Sequence, residues 1–267
     1  MYQLRLGASI HFLHERFDEK IDEAKTLGFD SVDFDISGQW SANYKKPFQP
    51  AIQKVIDSGL FLNAIHLSSG GGDWDVSELD DKKRNENIQF IKNVIKQLDP
   101  YNPNCYILHG SGDFVFDDIR DKKIKATIDS LNELVSFTKT KICLENLPRT
   151  CVGNTAKEIN FILSKVPNLY ACIDTNHFVR EYPEQGILAV GAKIATLHIS
   201  DHDFFDEKHW MPKEGQIDWN KVLKALESVG YSGIFNYEIR DSAEKLYDIK
   251  QNYELLFAEY NEHISKD

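Results

Sequence analysis

Four short apolar runs in the second half of the sequence end on a side chain that can bind a metal: Ile142-Cys143-Leu144-Glu145, Ala171-Cys172-Ile173-Asp174, Ala195-Thr196-Leu197-His198 and Ile234-Phe235-Asn236-Tyr237-Glu238. A group that must ionise is costly inside a buried strand, but where the strand meets solvent it can share a cation with its neighbours. Two Glu, one Asp and one His form a hard, mostly oxygen donor set suited to one divalent ion, Mn²⁺, Mg²⁺, Zn²⁺ or Co²⁺. A lone carboxylate at a strand end is more often a helix cap or a surface ion-pair partner. The same placement in four consecutive runs is hard to assign to four unrelated caps.

Further histidines occupy comparable positions. His66 closes Asn63-Ala64-Ile65-His66, His109 closes Tyr106-Ile107-Leu108-His109, His177 follows Asp174 by one helical turn, and His209 opens the segment that runs to Trp219. Each alone reads equally as a hydrogen-bonded structural residue; sharing one mouth, they become candidates for substrate hydroxyls or additional metal. Gly70-Gly71-Gly72 followed by Asp73-Trp74-Asp75 reads either as a mobile loop over that mouth or as a plain turn.

The elements that must position these groups follow from periodicity. Strand-like runs fall at residues 3–10, 31–36, 61–68, 104–110, 142–147, 169–174, 194–200 and 233–239. Between them lie amphipathic stretches, among them Phe17 to Leu27, Arg84 to Leu98, Lys122 to Thr138, Ala156 to Val166 and Asn220 to Val229. Gly28 and Gly230 stand where a helix is expected to end in a left-handed residue. Strict alternation implies parallel strands, closed as a barrel or open and doubly wound. An open sheet builds its site at one strand-order switch, whereas here every run from the fifth to the eighth contributes a ligand candidate, which favours closure. The expected fold is a single (β/α)8 TIM barrel with parallel strands, residues 1–267 forming one domain, and the length of 267 residues suits it.

Composition narrows the partners. Hydrophobic residues make up 42% and charged residues 27% of the chain, ordinary values for a globular protein. No apolar run approaches the roughly 20 residues needed to cross a bilayer. Met1-Tyr2-Gln3-Leu4-Arg5-Leu6 runs into a strand-like pattern with no leader signature, so a cytoplasmic location is expected. Cys105, Cys143, Cys151 and Cys172 form no closely spaced pair, and the three inside strand runs are expected to be reduced, structural thiols. A net charge of −11 disfavours a nucleic-acid partner, whose affinity comes largely from Lys and Arg displacing counterions. A homo-oligomer is compatible with this composition.

The runs Ile142-Cys143-Leu144-Glu145-Asn146, Cys172-Ile173-Asp174-Thr175-Asn176-His177, Leu197-His198-Ile199-Ser200-Asp201, Glu214-Gly215-Gln216-Ile217-Asp218 and Asn236-Tyr237-Glu238 resemble those of the xylose isomerase-like barrel superfamily. That superfamily holds sugar (phosphate) isomerases and epimerases together with endonuclease IV. The resemblance implies that Glu145, Asp174, His198 and Glu238 are metal ligands and that His177 contacts substrate. Leu27-Gly28-Phe29-Asp30-Ser31-Val32-Asp33 is similar to the second-strand motif, with Asp33 where Glu is commoner.

The activity expected is metal-dependent isomerisation or epimerisation of a sugar, polyol or keto compound, by proton transfer next to a carbonyl through an enediolate. Glu145 and Glu238 are the candidate proton-transfer pair, with neither assigned as base. His66, His109, His177 and His209 are the candidate substrate contacts. The alternative implied by the resemblance is an endonuclease IV-like, zinc-dependent abasic-site nuclease, in which the same four histidines become ligands and Glu207 stands for an additional Asp. Against it, Ser200-Asp201-His202 departs from the Asn-Asp-Ser stretch expected there. The same three residues depart from the Gly-Glu of ketose 3-epimerases. A third alternative is a barrel that binds sugar without turnover. Free and phosphorylated substrates both remain open, with Arg149, Arg180 and Arg240 as isolated candidates for a phosphate.

Overall fold

The strand and helix periods resolve into eight strands and eight longer helices in a computed structural model that describes residues 1–36, 47–67, 71–112 and 114–266. In chain order these are β1 (Arg5–His11), α1 (Phe17–Thr26), β2 (Ser31–Asp35), α2 (Gln49–Asp57), β3 (Phe61–His66), α3 (Asp81–Leu98), β4 (Cys105–His109), α4 (Asp117–Phe137), β5 (Lys141–Glu145), α5 (Ala156–Lys165), β6 (Leu169–Asp174), α6 (Pro183–Val190), β7 (Ile194–His198), α7 (Trp219–Ser228), β8 (Ile234–Tyr237) and α8 (Leu246–Ile264). The strands pair in parallel in the order β7-β6-β5-β4-β3-β2-β1-β8. A parallel bridge between Ile199 and Tyr237 joins the two ends. Ile199 N–H donates to the Asn236 carbonyl at 2.8 Å, and Glu238 N–H donates to the Ile199 carbonyl at 3.0 Å. The sheet thus closes on itself as the expected parallel (β/α)8 barrel.

Alternation along each strand divides the side chains between two cores. Outward residues such as Leu6, Ile10, Val32, Phe34, Leu108, Leu144, Leu197 and Phe235 pack beneath the helices. Each such burial stabilises by roughly 1.5–3 kcal/mol. Inward residues Ala64, Cys105, Ile107, Cys143 and Cys172 form a separate small cluster within the barrel, so the three strand thiols fill space, as expected. A register shift between Val32 and Phe34 on the pairing of β2 with β3 turns consecutive residues of β3 inward. Asn63 reaches Asp33 at 2.7 Å and Thr196 at 2.9 Å, while Ala64 joins the thiol cluster.

Most strands stop one or two residues short of the expected ends, because the ladder gives way where polar side chains turn into the mouth loops. The expected runs 194–200 and 233–239 become Ile194–His198 and Ile234–Tyr237. Helix α3 begins earlier than Arg84 because the Asp80 carboxylate accepts the Lys83 N–H at 2.9 Å and caps the first turn. Residues 71–75 form a pinned turn. Trp74 is buried, with its ring 5.0 Å from that of Phe90, and the Asn87 amide donates to the Gly72 and Asp75 carbonyls at 3.1 and 3.0 Å. These contacts tie residues 71–75 to α3; Gly70 lies outside the described residues. Among the described residues, no helix is long and apolar enough to cross a membrane.

Candidate metal centre

Each strand delivers one polar side chain to the C-terminal mouth. His11, Asp35, His66, His109, Glu145, Asp174 and His198 are the last residues of β1 to β7, and Glu238 follows β8. His11 stands opposite Asp35, Asp35 opposite His66, His109 opposite Glu145, and Asp174 opposite His198. Elsewhere the ladder slips: His66 pairs with Ile107, two residues before His109, and Glu145 with Cys172, two before Asp174. That stagger belongs to a closed barrel and brings the ring of side chains to one rim.

The four ligand candidates converge. Glu145, Asp174, His198 and Glu238 each offer an atom within 4.8 Å of the others. His198 Nδ1 lies 2.7 Å from Glu145 Oε1 and 3.1 Å from Glu238 Oε2. Asp174 is held by the Asn146 side chain, whose Nδ2 donates to the Asp174 carbonyl at 2.9 Å and whose Oδ1 accepts the Asp174 N–H at 2.7 Å. Asp174 Oδ1 accepts the Asn176 N–H at 2.7 Å, while the buried Oδ2 accepts no hydrogen bond and faces His177 Nδ1 at 3.4 Å. A buried carboxylate oxygen left in that state is costly unless a cation takes it. Three carboxylates, one imidazole and an open carboxylate oxygen fit a divalent ion at roughly 2.0–2.6 Å ligand distances.

The other histidines gather around this group. His66 Nε2 and His109 Nε2 lie 3.1 and 2.9 Å from Glu145 Oε2. His177 Nδ1–H donates to the Asn146 backbone carbonyl at 2.8 Å, and its Nε2 faces Glu207 Oε2 at 3.5 Å. His209 Nδ1 lies 3.0 Å from the Glu238 carbonyl, and Asn176 Oδ1 fixes its loop by accepting the N–H groups of Lys208 and His209 at 2.8 and 3.2 Å. Among the further groups with ligand spacing are His66 with His109 and Glu145, and His177 with Glu207 and His209. Of the phosphate candidates, Arg149 pairs with Asp206 at 3.1 Å and Glu207 at 2.8 Å, and Arg180 and Arg240 are exposed.

Electrostatics show what charge this rim is built to hold. Burial pushes the Glu145 carboxyl up, but His198, His109 and His66 more than reverse this and leave it well below the usual range. Glu238 is likewise raised by burial and drawn down, mainly by His198, to about 2. Asp174 goes the other way, to about 6, because burial and the nearby Glu238 and Glu145 outweigh His177. Burial lowers His177, yet Asp174, Glu207 and Glu145 raise it to about 10. In the absence of a metal, protonated imidazoles neutralise the carboxylates, a role a divalent ion can take over.

Several residues with a part in this rim escaped the sequence reading. His11 and Asp35 close their strands as His66, His109, Glu145, Asp174 and His198 do, and the recurring strand-end polar residue was the signal available for them. Asp33 was noted only within a motif. It is 1% exposed, and its Oδ2 lies 3.7 Å from His198 Nε2, on the opposite side of the ring from Glu145 and Glu238. Asp201 organises the loop after β7: its carboxylate accepts the N–H groups of His202, Lys213 and Ile217 and the indole N–H of Trp219, all at 2.8–3.1 Å.

Residues 21–258 match the sequence profile of the family described as xylose isomerase-like TIM barrel. The chain belongs to that family. Among curated relatives it is 31% identical to an uncharacterized protein of Methanocaldococcus jannaschii over 118 residues, 43% of each chain. It is 29% identical to an inosose isomerase of Bacillus subtilis over 135 residues, 45% of this chain and 49% of that one. Each of these two matches spans less than half of the relative's length. The barrel superposes on D-psicose 3-epimerase from Clostridium cellulolyticum H10, solved with D-tagatose, with a TM-score of 0.76 at 16% identity, covering 97% of this chain and 98% of that one.

Proposed function

We propose that this family member is a divalent-metal-dependent isomerase or epimerase of a sugar or cyclic polyol ketone. The observation that carries the reading is the convergence of Glu145, Asp174, His198 and Glu238 within 4.8 Å, with Glu238 also lining a cleft of about 280 Å³. The inosose isomerase relative and the epimerase of the same fold support it. Glu145, Asp174, His198 and Glu238 would hold the ion, which when bound supplies a Lewis acid for the substrate's carbonyl and neighbouring hydroxyl oxygens.

The two glutamates occupy unequal positions. Glu145 is fully buried, with Oε1 against His198 and Oε2 against His66 and His109. Glu238 is 22% exposed and its carboxylate opens onto the cleft. Glu238 therefore removes the carbon-bound proton. The second carboxylate of the pair, Glu145, would return a proton to the carbon after taking one from solvent through His109, whose Nε2 lies 2.9 Å from Oε2 and whose side chain is 14% exposed.

The test is incubation in D₂O of purified, metal-analysed protein with aldoses, ketoses, inososes and hydroxypyruvate. Solvent deuterium entering one substrate at a carbon next to its carbonyl is the expected result. Exchange into none of them with the ion bound overturns the reading. Glu238→Gln should lower exchange by about 10²–10⁴-fold with metal retained.

A second reading rests on the two additional groups, His66–His109–Glu145 and His177–Glu207–His209, which adjoin the first. Several ions side by side suit phosphoester hydrolysis, as at an abasic site. The net charge of −11 opposes a DNA partner. Three tightly held zinc ions per chain, with incision whose DNA affinity falls steeply with salt, would select this reading over the first.

A further inference from the structure

A line of polar side chains crosses the barrel beneath the rim. Lys141 opens β5, the strand that Glu145 closes, so the two stand at opposite ends of the barrel, about 13 Å apart along the strand. The Lys141 ammonium donates to Asn104 Oδ1 at 3.1 Å, Asn104 Nδ2 donates to Asn63 Oδ1 at 3.2 Å, and Asn63 Nδ2 donates to Asp33 Oδ1 at 2.7 Å and to Thr196 Oγ1 at 2.9 Å. The other Asp33 oxygen, Oδ2, is buried without a hydrogen bond and lies 3.7 Å from His198 Nε2. Both ends of the line fix its direction. An ammonium only donates and an ionised carboxylate only accepts, so each Asn amide has one orientation that serves both neighbours. Reversing Asn63 would set its carbonyl oxygen against Asp33, and reversing Asn104 would set its amide donors against Lys141. Among the described residues Lys141 forms no ion pair; its ammonium lies over the Tyr170 ring, 5.6 Å from the centroid, beside a cleft of about 320 Å³ at the N-terminal ends of β5 to β8.

From this geometry we infer that Lys141 is a positioning residue for the metal ligand His198, acting from the far end of the barrel through Asn104, Asn63 and Asp33. Two aligned amides carry the polarity of the ammonium to the buried carboxylate, each bond strengthening the next. Asp33 so held keeps Oδ2 toward His198 Nε2 and a proton at that nitrogen, which leaves the Nδ1 lone pair toward Glu145 and Glu238, where an ion would sit. Without the ammonium, Asn104 and then Asn63 lose the partner that fixes their orientation, and Asp33 is free to turn from His198. The inference rests on the metal-dependent reading and adds to it a residue that touches neither ion nor substrate.

The test compares Lys141→Met and Lys141→Arg with the unsubstituted full chain, each checked for folding by circular dichroism. Zn²⁺ affinity, read by competition with a chelating dye, should fall on the order of fivefold in Lys141→Met and recover in Lys141→Arg, which keeps a cationic donor. In ¹H–¹⁵N spectra of the Zn²⁺-loaded proteins the His198 Nε2–H proton should resonate downfield, as one facing a carboxylate does, and move upfield in Lys141→Met alone. Asn104→Ser, which breaks the same line one residue farther on, should reproduce both changes and stands in if Lys141→Met does not fold. Unchanged affinity and an unmoved His198 proton in a folded Lys141→Met protein overturn the inference. A loss of affinity with that proton unmoved also overturns it, since a general loosening of the barrel then explains the loss. Neither measurement involves a substrate: absence of deuterium exchange into any sugar removes the enzymatic reading and leaves the inference standing, whereas an unsubstituted chain that holds no divalent ion overturns both.

Discussion

His198 has two ring nitrogens with different tasks. Nδ1 faces Glu145 and Glu238, and Nε2 faces Asp33 Oδ2 at 3.7 Å inside the barrel. Both Nε2 and Asp33 Oδ2 are buried without a hydrogen bond, so a small approach or one bridging water satisfies both. A proton held at Nε2 by Asp33 leaves the Nδ1 lone pair for the ion, the usual division of labour between a metal-binding imidazole and a carboxylate behind it. Asn63 holds the other Asp33 oxygen at 2.7 Å, so the carboxylate keeps its orientation. Asp33→Asn should therefore weaken divalent-ion binding by about 10–100-fold without removing any ligand, as read by competition with a chelating dye. Unchanged affinity in a folded Asp33→Asn protein would show that Asp33 only fills the barrel.

The elements that carry these residues were largely legible because the relevant signals are local. Strand runs of period two alternate with stretches of three- and four-residue spacing, and β6 falls at the expected residues 169–174. The four ligand candidates were legible because each lies at or just past the end of a strand, and closure of the barrel turns that shared place into proximity. What stayed hidden depends on contacts between distant segments. The carboxylate of Asp201 gathers N–H groups from His202, Lys213, Ile217 and the Trp219 indole, and none of these spacings marks it in the sequence. Gly215 is required beside it, since a Cβ there would lie 2.3 Å from Asp201 Oδ1 and from the His202 carbonyl oxygen. Asp201→Ala would leave buried donors unpaired and should cost roughly 3 kcal/mol. In a chain of this size that is a fall of about 5 °C in Tm by calorimetry. A shift of only about a degree would mean that the loop holds its shape without this hub.

For the whole molecule, the rim sets three carboxylates against protonated imidazoles, and an ion must displace that arrangement to bind. His198 is raised well above its ordinary value even though burial lowers it, because Cys172, Glu238 and Glu145 pull it up. Its proton therefore stabilises the ion-free folded state fully below the unfolded value of about 6.5, and this contribution is lost as pH rises through the higher folded value. A ligated imidazole must be neutral, so ion binding expels that proton, and acid competes with metal. An ion such as Mn²⁺ or Zn²⁺ that binds only the folded chain would stabilise it by RT ln(1 + [ion]/Kd). The gain in Tm from a fixed concentration of ion should accordingly be larger at about pH 8 than at about pH 6, and a chelator should abolish it at both. Calorimetry in buffers of different ionisation enthalpy should report proton release on binding. Equal gains at the two pH values, with no proton released, would remove His198 from the ligand set and leave the carboxylates alone to hold the ion.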